Sequence, residues 1–437
     1  MKKAKWLLFF LVIPVFLLSS CKKQTAGPAP VKKDSALINL GHLNDLYTPL
    51  VFPSGTQAAG VFIYSAYPDY HHVEASGEGF TCLDDVSRAA LVYFRSDQFA
   101  SDTAIQKKAL NLIRFILEMQ AGDGYFYNFF QTDGTINTTG TTSMAIQNWW
   151  SWRALQTLAE TSTQVKALDS KLGSGMDLAV NRLIQNIKAD LVNLPLTTEV
   201  VSGITVPKWL PAGSATDQAA TLILGLISYC RSNNDPVIQT FIQKLADGIV
   251  MMQEGSAAAF PYSLFLSAQN QWHAYGSDQS YALLLTGEFL NDTSYTSKAL
   301  AEINNFYPWL IANGYKSGIS LSYDSVQFQP ILEKDYDQIA YGFRPMVFAA
   351  AEAFALTGQN KYADIAGHLA AWFLGSNTAS ANMYDSTTGL CYDAISSAGN
   401  VNLNSGAEST IEALLTMQRV QKYPAIRTAL YTYKKHF

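Results

Sequence analysis

Charge is scarce in this chain. Only 15% of its 437 residues are charged, 30 basic against 35 acidic, and the basic ones form no run. Phosphate backbones are bound by basic patches, so nucleic acid is excluded as a partner. Histidine is also scarce, at six, and cysteine, at four. His71, His72 and His273 stand at no metal-ligand interval and no CxxC pair occurs, so neither a metal site nor a cofactor is expected. The phosphate-cradling Walker loop, the GxSxG nucleophile turn and a GxGxxG following a strand are all missing. The one long apolar run near the start, Trp6 to Leu18, is too short for a comfortable membrane span.

Lys2, Lys3 and Lys5 precede that run, and Leu-Ser-Ser-Cys ends it at residues 18–21. A basic segment, an apolar segment and a terminal cysteine resemble the signal and lipobox of bacterial lipoproteins. The resemblance implies a signal peptide over 1–20, lipidation of Cys21, and a protein of the cell envelope held to a membrane by its lipid. Residues 21–36 read as a flexible tether of Ala, Gly, Pro, Ser and Lys. Loss of the three lysines takes the formal charge from −5 to −8. Residues 37–437 contain no second linker, and 23 Tyr, 23 Phe and 8 Trp in the chain are ample for one large core.

The hydrophobic pattern alternates between two kinds of helix. Asp84–Ser96 is apolar nearly all round. Thr103–Gln120 carries one stripe (Ile105, Ala109, Leu112, Ile113, Ile116 and Met119) opposite Lys107, Lys108, Asn111, Arg114 and Glu118. The pair recurs as Ser143–Ala159 with a polar-faced helix between Gln164 and Asn193, Gln218–Cys230 with Pro236–Met252, and Gln279–Leu290 with Ser294–Ala312. It recurs again as Gln338–Leu356 with Lys361–Leu374 and Ser409–Val420 with Ala425–Tyr433. A helix apolar on every side belongs inside and a striped one outside. Six of each, in strict alternation, predict an all-α (α/α)6 toroid, closed because no polar-faced capping repeat is present to end an open array. Pro345, inside the fifth inner helix, predicts a kink or a late start. Residues 36–80 hold β-prone pieces such as VFIYSAY at 61–67 and predict a short extension with some β structure.

The inner helices open alike. The entries read CLDDVSRA from Cys82, SATDQAA from Ser214, GSDQSYA from Gly276, KDYDQIA from Lys334 and SGAESTI from Ser405; only TTSMAIQNWW from Thr141 lacks an acid. Asp85, Gln147, Asp217, Asp278, Asp337 and Glu408 therefore occupy comparable slots about 60–70 residues apart. An Asp at a helix start is commonly a cap for orphan N–H groups. In a toroid, however, all inner helices run the same way, so these carboxylates also converge on one mouth, spaced for acid and base work on a ligand. Asp84 and Asp85 are more than a cap needs, and Arg88 lies one turn on, either as an ion-pair partner or as a group that tunes them. Glu78 adds a charge nearby.

Aromatic residues crowd the loops that would surround this mouth. Flat rings beside carboxylates and amides suit sugars, whose apolar faces stack while their hydroxyls hydrogen-bond. Trp149, Trp272, His273, Tyr384 and Tyr392 are the candidate contacts, whereas Trp150 and Phe129 read as core.

With these residues in hand, the chain is similar to the six-hairpin glycosidase superfamily, which includes unsaturated glucuronyl hydrolases and many inverting glycosidases. The DDxxRA entry at Asp84 and the YDAI…NLNSGAESTIEALL stretch at 392–415 also resemble helical domains attached to some bacterial glycosyltransferases. The superfamily resemblance implies catalytic carboxylates at the mouth: Asp84 or Asp85 with Glu408, neighbours across the ring closure, and Asp278 and Asp337 in reserve. It implies a glycoside hydrolase acting on an oligosaccharide or polysaccharide as a monomer. A lyase or sugar epimerase would instead use Tyr341, Arg344 and His273, and a glycan-binding lipoprotein would keep the cleft without the chemistry. Ring closure also sets Cys82 beside Cys391, and a disulfide between them is expected.

Overall fold

The computed structural model describes residues 36–435, and the predicted leader, the lipidation cysteine Cys21 and nearly all of the tether lie outside them. The chain begins with a short helix α1 (Gly41–Leu46) and two antiparallel strand pairs, Tyr47–Val51 with Gln57–Val61 and Tyr64–Ala66 with His71–Val73. Six helical hairpins follow. They are α2 (Leu83–Phe94) with α3 (Thr103–Glu118), α4 (Trp149–Leu168) with α5 (Ser170–Asp190), and α6 (Thr216–Ser232) with α7 (Pro236–Met251). Next come α8 (Gln279–Leu290) with α9 (Thr293–Ala312), α10 (Arg344–Thr357) with α11 (Asn360–Ala370), and α12 (Ala407–Gln421) with α13 (Pro424–Tyr433).

Burial separates the two sets as the periodicity predicts. Every residue of α2 except Asp84 is buried, whereas α3 buries a stripe from Ile105 to Ile116. Each even-numbered helix from α2 packs on the next, and α12 packs on α2, so the ring of inner helices closes. Pro345 sits in the first turn of α10, where its missing N–H is no loss, so the fifth inner helix starts late and is not kinked. The common entry pattern holds less strictly than expected in the second repeat: α4 begins at Trp149, capped by Asn148, and leaves Gln147 in the loop before it.

Capping is assigned to the outer helices. Asp102, Asp169, Asp235 and Asp292 each accept a backbone N–H in the first turn of α3, α5, α7 and α9. The inner-helix acids Asp84, Asp85, Asp278 and Glu408 close no such cap. Their charge is used elsewhere. The loops entering α10 and α12 are joined through a small sheet, Gln338–Ile339 on Ala394–Ser397 on Asn400–Asn402. Gln338 is buried, where its amide donates to the carbonyls of Gly314, Tyr315 and Asp335. Its neighbour Asp337, just before the strand, is exposed.

Candidate active site at the mouth of the ring

Arg88 organises the site. It stands on α2 with its side chain 4% exposed and reaches four carboxylates. Its Nη1 donates to Glu412 Oε1 at 2.6 Å, and its Nη2 donates to Asp84 Oδ2 at 2.9 Å, Asp85 Oδ1 at 2.7 Å and Glu408 Oε2 at 3.3 Å. Arg344 continues the chain of charges on α10: Nε donates to Glu412 Oε2 at 2.6 Å, and Nη1 and Nη2 clasp Asp278 at 2.7 and 3.0 Å. Arg153 on α4 lies 2.6 Å from Asp84 Oδ1 through Nε and donates to the Tyr341 hydroxyl. All three guanidinium carbons lie over the Tyr341 ring, at 5.2, 5.0 and 5.3 Å from its centroid, which places the ring's negative face against three cations.

This network shows what the inner-helix acids bind. Asp84, Asp85, Asp278 and Glu408 do converge, together with Arg88, Tyr341 and Arg344, and each acid is bound to a guanidinium. Helix spacing missed Glu412 and Arg153. The available signal was a charge in the middle of an otherwise apolar inner helix, since Glu412 lies one turn beyond Glu408 and Arg153 follows WWSW in α4. A charge buried there needs a partner.

The carboxylates differ sharply in exposure and acidity. Glu412 is fully buried; burial alone would raise its pKa, but Arg344, Arg88 and Arg153 outweigh that and hold it at about 2. Asp85 has its side chain 6% exposed and is pushed up, first by burial, with Arg88 opposing and Asp84 adding. Its second oxygen accepts from the Cys82 thiol at 3.3 Å. Glu408 is 45% exposed, yet its setting against the protein interior raises it to about 7, against the pull of Arg88 and with Asp85, Glu412 and Asp84 assisting. It is the most exposed carboxyl of the group.

Glu408, Asp85 and Asp337 line one cavity of about 430 Å³, with Tyr64 from the extension and Asp393 from the sixth loop. Asp393 ties that loop to the start of α12 by accepting from Gly406 N at 2.8 Å and Ser409 Oγ at 2.5 Å. Asp337 carries no hydrogen bond or ion pair among the described residues. The exposed Tyr275 is a residue the sequence reading passed over. It stacks on His273 with centroids 3.8 Å apart and faces Tyr341 at 6.3 Å. His273 is held beneath it by Asp217, 3.0 Å from Nε2. Gly276 makes room: a Cβ there would lie 2.3 Å from His273 Cε1.

Other candidates fall elsewhere. Trp272 is buried and packs edge-on against Phe306 of α9, and Tyr384 is buried with its hydroxyl pinning Leu37 and Asn39 of the N-terminal segment; both are core. Tyr392 is half-buried against Tyr70, and Glu78 accepts from Thr142, outside the network. Trp149 is half-buried, with the Arg153 guanidinium 5.9 Å over its ring. Trp150 and Phe129 are core as expected. Cys82 and Cys391 are both buried free thiols, so the expected disulfide is not formed; Cys82 is turned toward Asp85 instead. Among the described residues, no cluster of His, Cys, Asp or Glu could hold a metal ion.

Comparison with solved structures agrees with this architecture. A sugar epimerase from a ruminal bacterium superposes with a TM-score of 0.58 over 83% of this chain and 92% of that one, at 11% identity. Cellobiose 2-epimerase from Bacillus thermoamylovorans B4167 gives 0.57 over 83% and 92%, at 12% identity. A family 76 glycoside hydrolase from a bovine Bacteroides thetaiotaomicron strain gives 0.55 over 90% and 79%, also at 12% identity. The chain has the (α/α)6 toroid fold of these enzymes. Protein-family models and curated proteins give no match to the sequence. The likeness is one of fold, so the site has to be argued from its own geometry.

Proposed function

We propose that this protein is a carbohydrate-active enzyme that hydrolyses a glycosidic bond, with Glu408 as proton donor and Asp337 as the base that activates water. The observation that carries this is Glu408 itself: an accessible carboxyl at the mouth of the ring, lining one cavity with the unpaired carboxylate of Asp337 and pushed up to about 7 by its setting. In the reaction, the Glu408 carboxyl gives its proton to the glycosidic oxygen as the bond to the anomeric carbon breaks. Asp337 takes a proton from the water that adds to that carbon, and the products are two saccharides. Asp85, which the sequence paired with Glu408, is the weaker base. It is buried, and both its oxygens are occupied by Arg88 and Cys82. It acts by positioning Arg88 and by helping to hold the proton on Glu408.

The substrate class follows from how the cations are committed. Arg88, Arg153 and Arg344 are each already bound to carboxylates, so no guanidinium of the site is free for a uronate. This favours a neutral saccharide over the uronate of a lyase. Tyr275 then supplies the stacking face, backed by His273. Tyr275→Ala is expected to raise KM about tenfold with kcat little changed, and Tyr275→Phe to restore it, as loss of one stacking contact predicts.

The deciding test is product analysis on neutral oligosaccharides across pH. Hydrolysis shortens the chain, and turnover should fall as pH rises through about 7, where Glu408 loses its proton. Two of the structural neighbours are epimerases, and His273 is the group that would support that second reading; a product of unchanged length with an inverted carbinol would establish it and sink hydrolysis. Membrane attachment through Cys21 belongs to the same proposal. It requires that the full chain partition into the detergent phase and that Cys21→Ser abolish this.

A further inference from the structure

The lumen of the ring does not end at the charged layer. Directly beneath it lies a second cavity of about 660 Å³, larger than the one that holds Glu408. Tyr281 lies one turn along α8 from Asp278, and Phe348 one turn along α10 from Arg344, so the Arg88–Glu412–Arg344 layer partitions the lumen into two chambers. The Phe348 ring has the Arg344 guanidinium 5.4 Å from its centroid and that of Arg419 at 5.5 Å. Glu408 and Arg419 are eleven residues apart on α12, roughly 16 Å along the axis.

We infer that this lower chamber is a second saccharide-binding site, separate from the reaction and entered from the C-terminal ends of the inner helices. Three features identify the ligand class. First, most of its charges are arranged as Arg–Glu pairs that join α2 to α4, α6 to α8 and α10 to α12: Arg95 with Glu160, Arg231 with Glu288, and Arg419 with Glu352. With Lys422 and Asp97 the wall carries four basic and four acidic residues, so it offers donors and acceptors side by side but no net attraction for an ion. Adjacent hydroxyls of a neutral sugar match that alternation. Second, the Arg419–Glu352 pair is only 13% exposed on each side chain. Desolvating such a pair is costly and adds little to stability, and the hydroxyls of a bound sugar would return hydrogen bonds to it. Third, Tyr281 and Phe348 stand edge to face, 5.5 Å apart at 88°, and Arg419 lies 5.9 Å over Tyr281. Aromatic carbon beside fixed polar groups is the lining of a sugar pocket, and the volume lies within the ordinary range for small-ligand sites.

The test is calorimetric titration of the full-length protein with cellobiose and with mannobiose, repeated on Tyr281→Ala, Arg419→Met and Tyr281→Phe, with near-ultraviolet circular dichroism as the control for folding. One of the two disaccharides should bind, Tyr281→Ala should weaken that event at least about tenfold, and Tyr281→Phe should retain it. If Arg419→Met fails to fold, the Tyr281 pair carries the decision alone. The inference is overturned if neither disaccharide binds. It is also overturned if binding survives Tyr281→Ala and disappears with Tyr275→Ala, which would place all saccharide at the upper mouth. Binding of inorganic phosphate that Arg419→Met removes would mark the chamber as an anion site and overturn it too.

Discussion

Glu408→Gln should reduce kcat by about 10²–10⁴-fold on any saccharide the protein turns over, with the melting temperature unchanged or raised. The amide keeps the shape of the side chain and cannot deliver a proton. It is tolerated because the native surroundings already disfavour the charged form: burial against the interior and the neighbouring Asp85, Glu412 and Asp84 together outweigh Arg88. The decline of activity through pH 7 should vanish with the carboxyl. Asp337→Asn is the companion test, since Asp337 is exposed and unpaired and its loss should leave stability untouched while turnover falls. Asp85→Asn is expected to act differently, by releasing one Arg88 contact. Steady-state kinetics of the three variants beside thermal unfolding separate these outcomes. Wild-type turnover in Glu408→Gln, with an unaltered pH profile, would remove Glu408 from the chemistry.

Arg88→Met is expected to destabilise the fold by about 3–5 kcal/mol, the typical result of removing one partner from a buried ionic network. Four carboxylates lose their shared cation at once, and Glu412, fully buried, keeps only Arg344 and the more distant Arg153. Arg88→Lys should recover little, because a single ammonium cannot span Glu412 on one side and Asp84, Asp85 and Glu408 on the other. Chemical denaturation at neutral pH measures the difference. The same network sets the response to acid. Glu412 has its native pKa depressed to about 2 from 4.5, so its contribution of about 3 kcal/mol is complete above pH 4.5 and is lost as pH falls toward 2. Glu408 has the opposite sign: its native pKa is raised, so it favours the fold at low pH and ceases to as pH rises through about 7. Stability should therefore increase slightly from pH 7 to 5 and drop steeply below 4.5. A flat profile between pH 4.5 and 2 would show that Glu412 is not held ionised.

Much of this architecture can be read from residue order because it depends on which faces are apolar. The stripe from Ile105 to Ile116 and the all-round apolarity of Ala89 to Phe94 are local properties, and they assign α3 outside and α2 inside without knowledge of any partner. Pro345 likewise announces a kink or a late start through a local rule, and the structure takes the late start. The acids at the inner-helix entries were visible too, and the ring made Asp85 and Glu408 neighbours. Their division of labour was not visible, since helix entry looks the same whether an Asp caps N–H groups, as Asp102 and Asp292 do, or grips an arginine, as Asp278 does. The aromatic loops misled for a similar reason. A tryptophan such as Trp272 can serve a cleft or a core, and nothing within the loop decides between them.

The sequence by itself determined six inner and six outer helices and the recurrence of an acid at the inner-helix entries, because hydrophobic periodicity acts over one or two turns and the repeat returns every 60–70 residues. Only the tertiary structure decided that Arg88 would be shared by four carboxylates, that three arginines would pull the acidity of Glu412 one way while burial pushed Glu408 the other, that Asp337 would be the free carboxylate and Asp85 the bound one, and that Cys82 would face Asp85 rather than Cys391. A pKa or a free carboxylate depends on which charges from separate hairpins come within a few ångströms and how much water remains, and that is fixed when the ring closes.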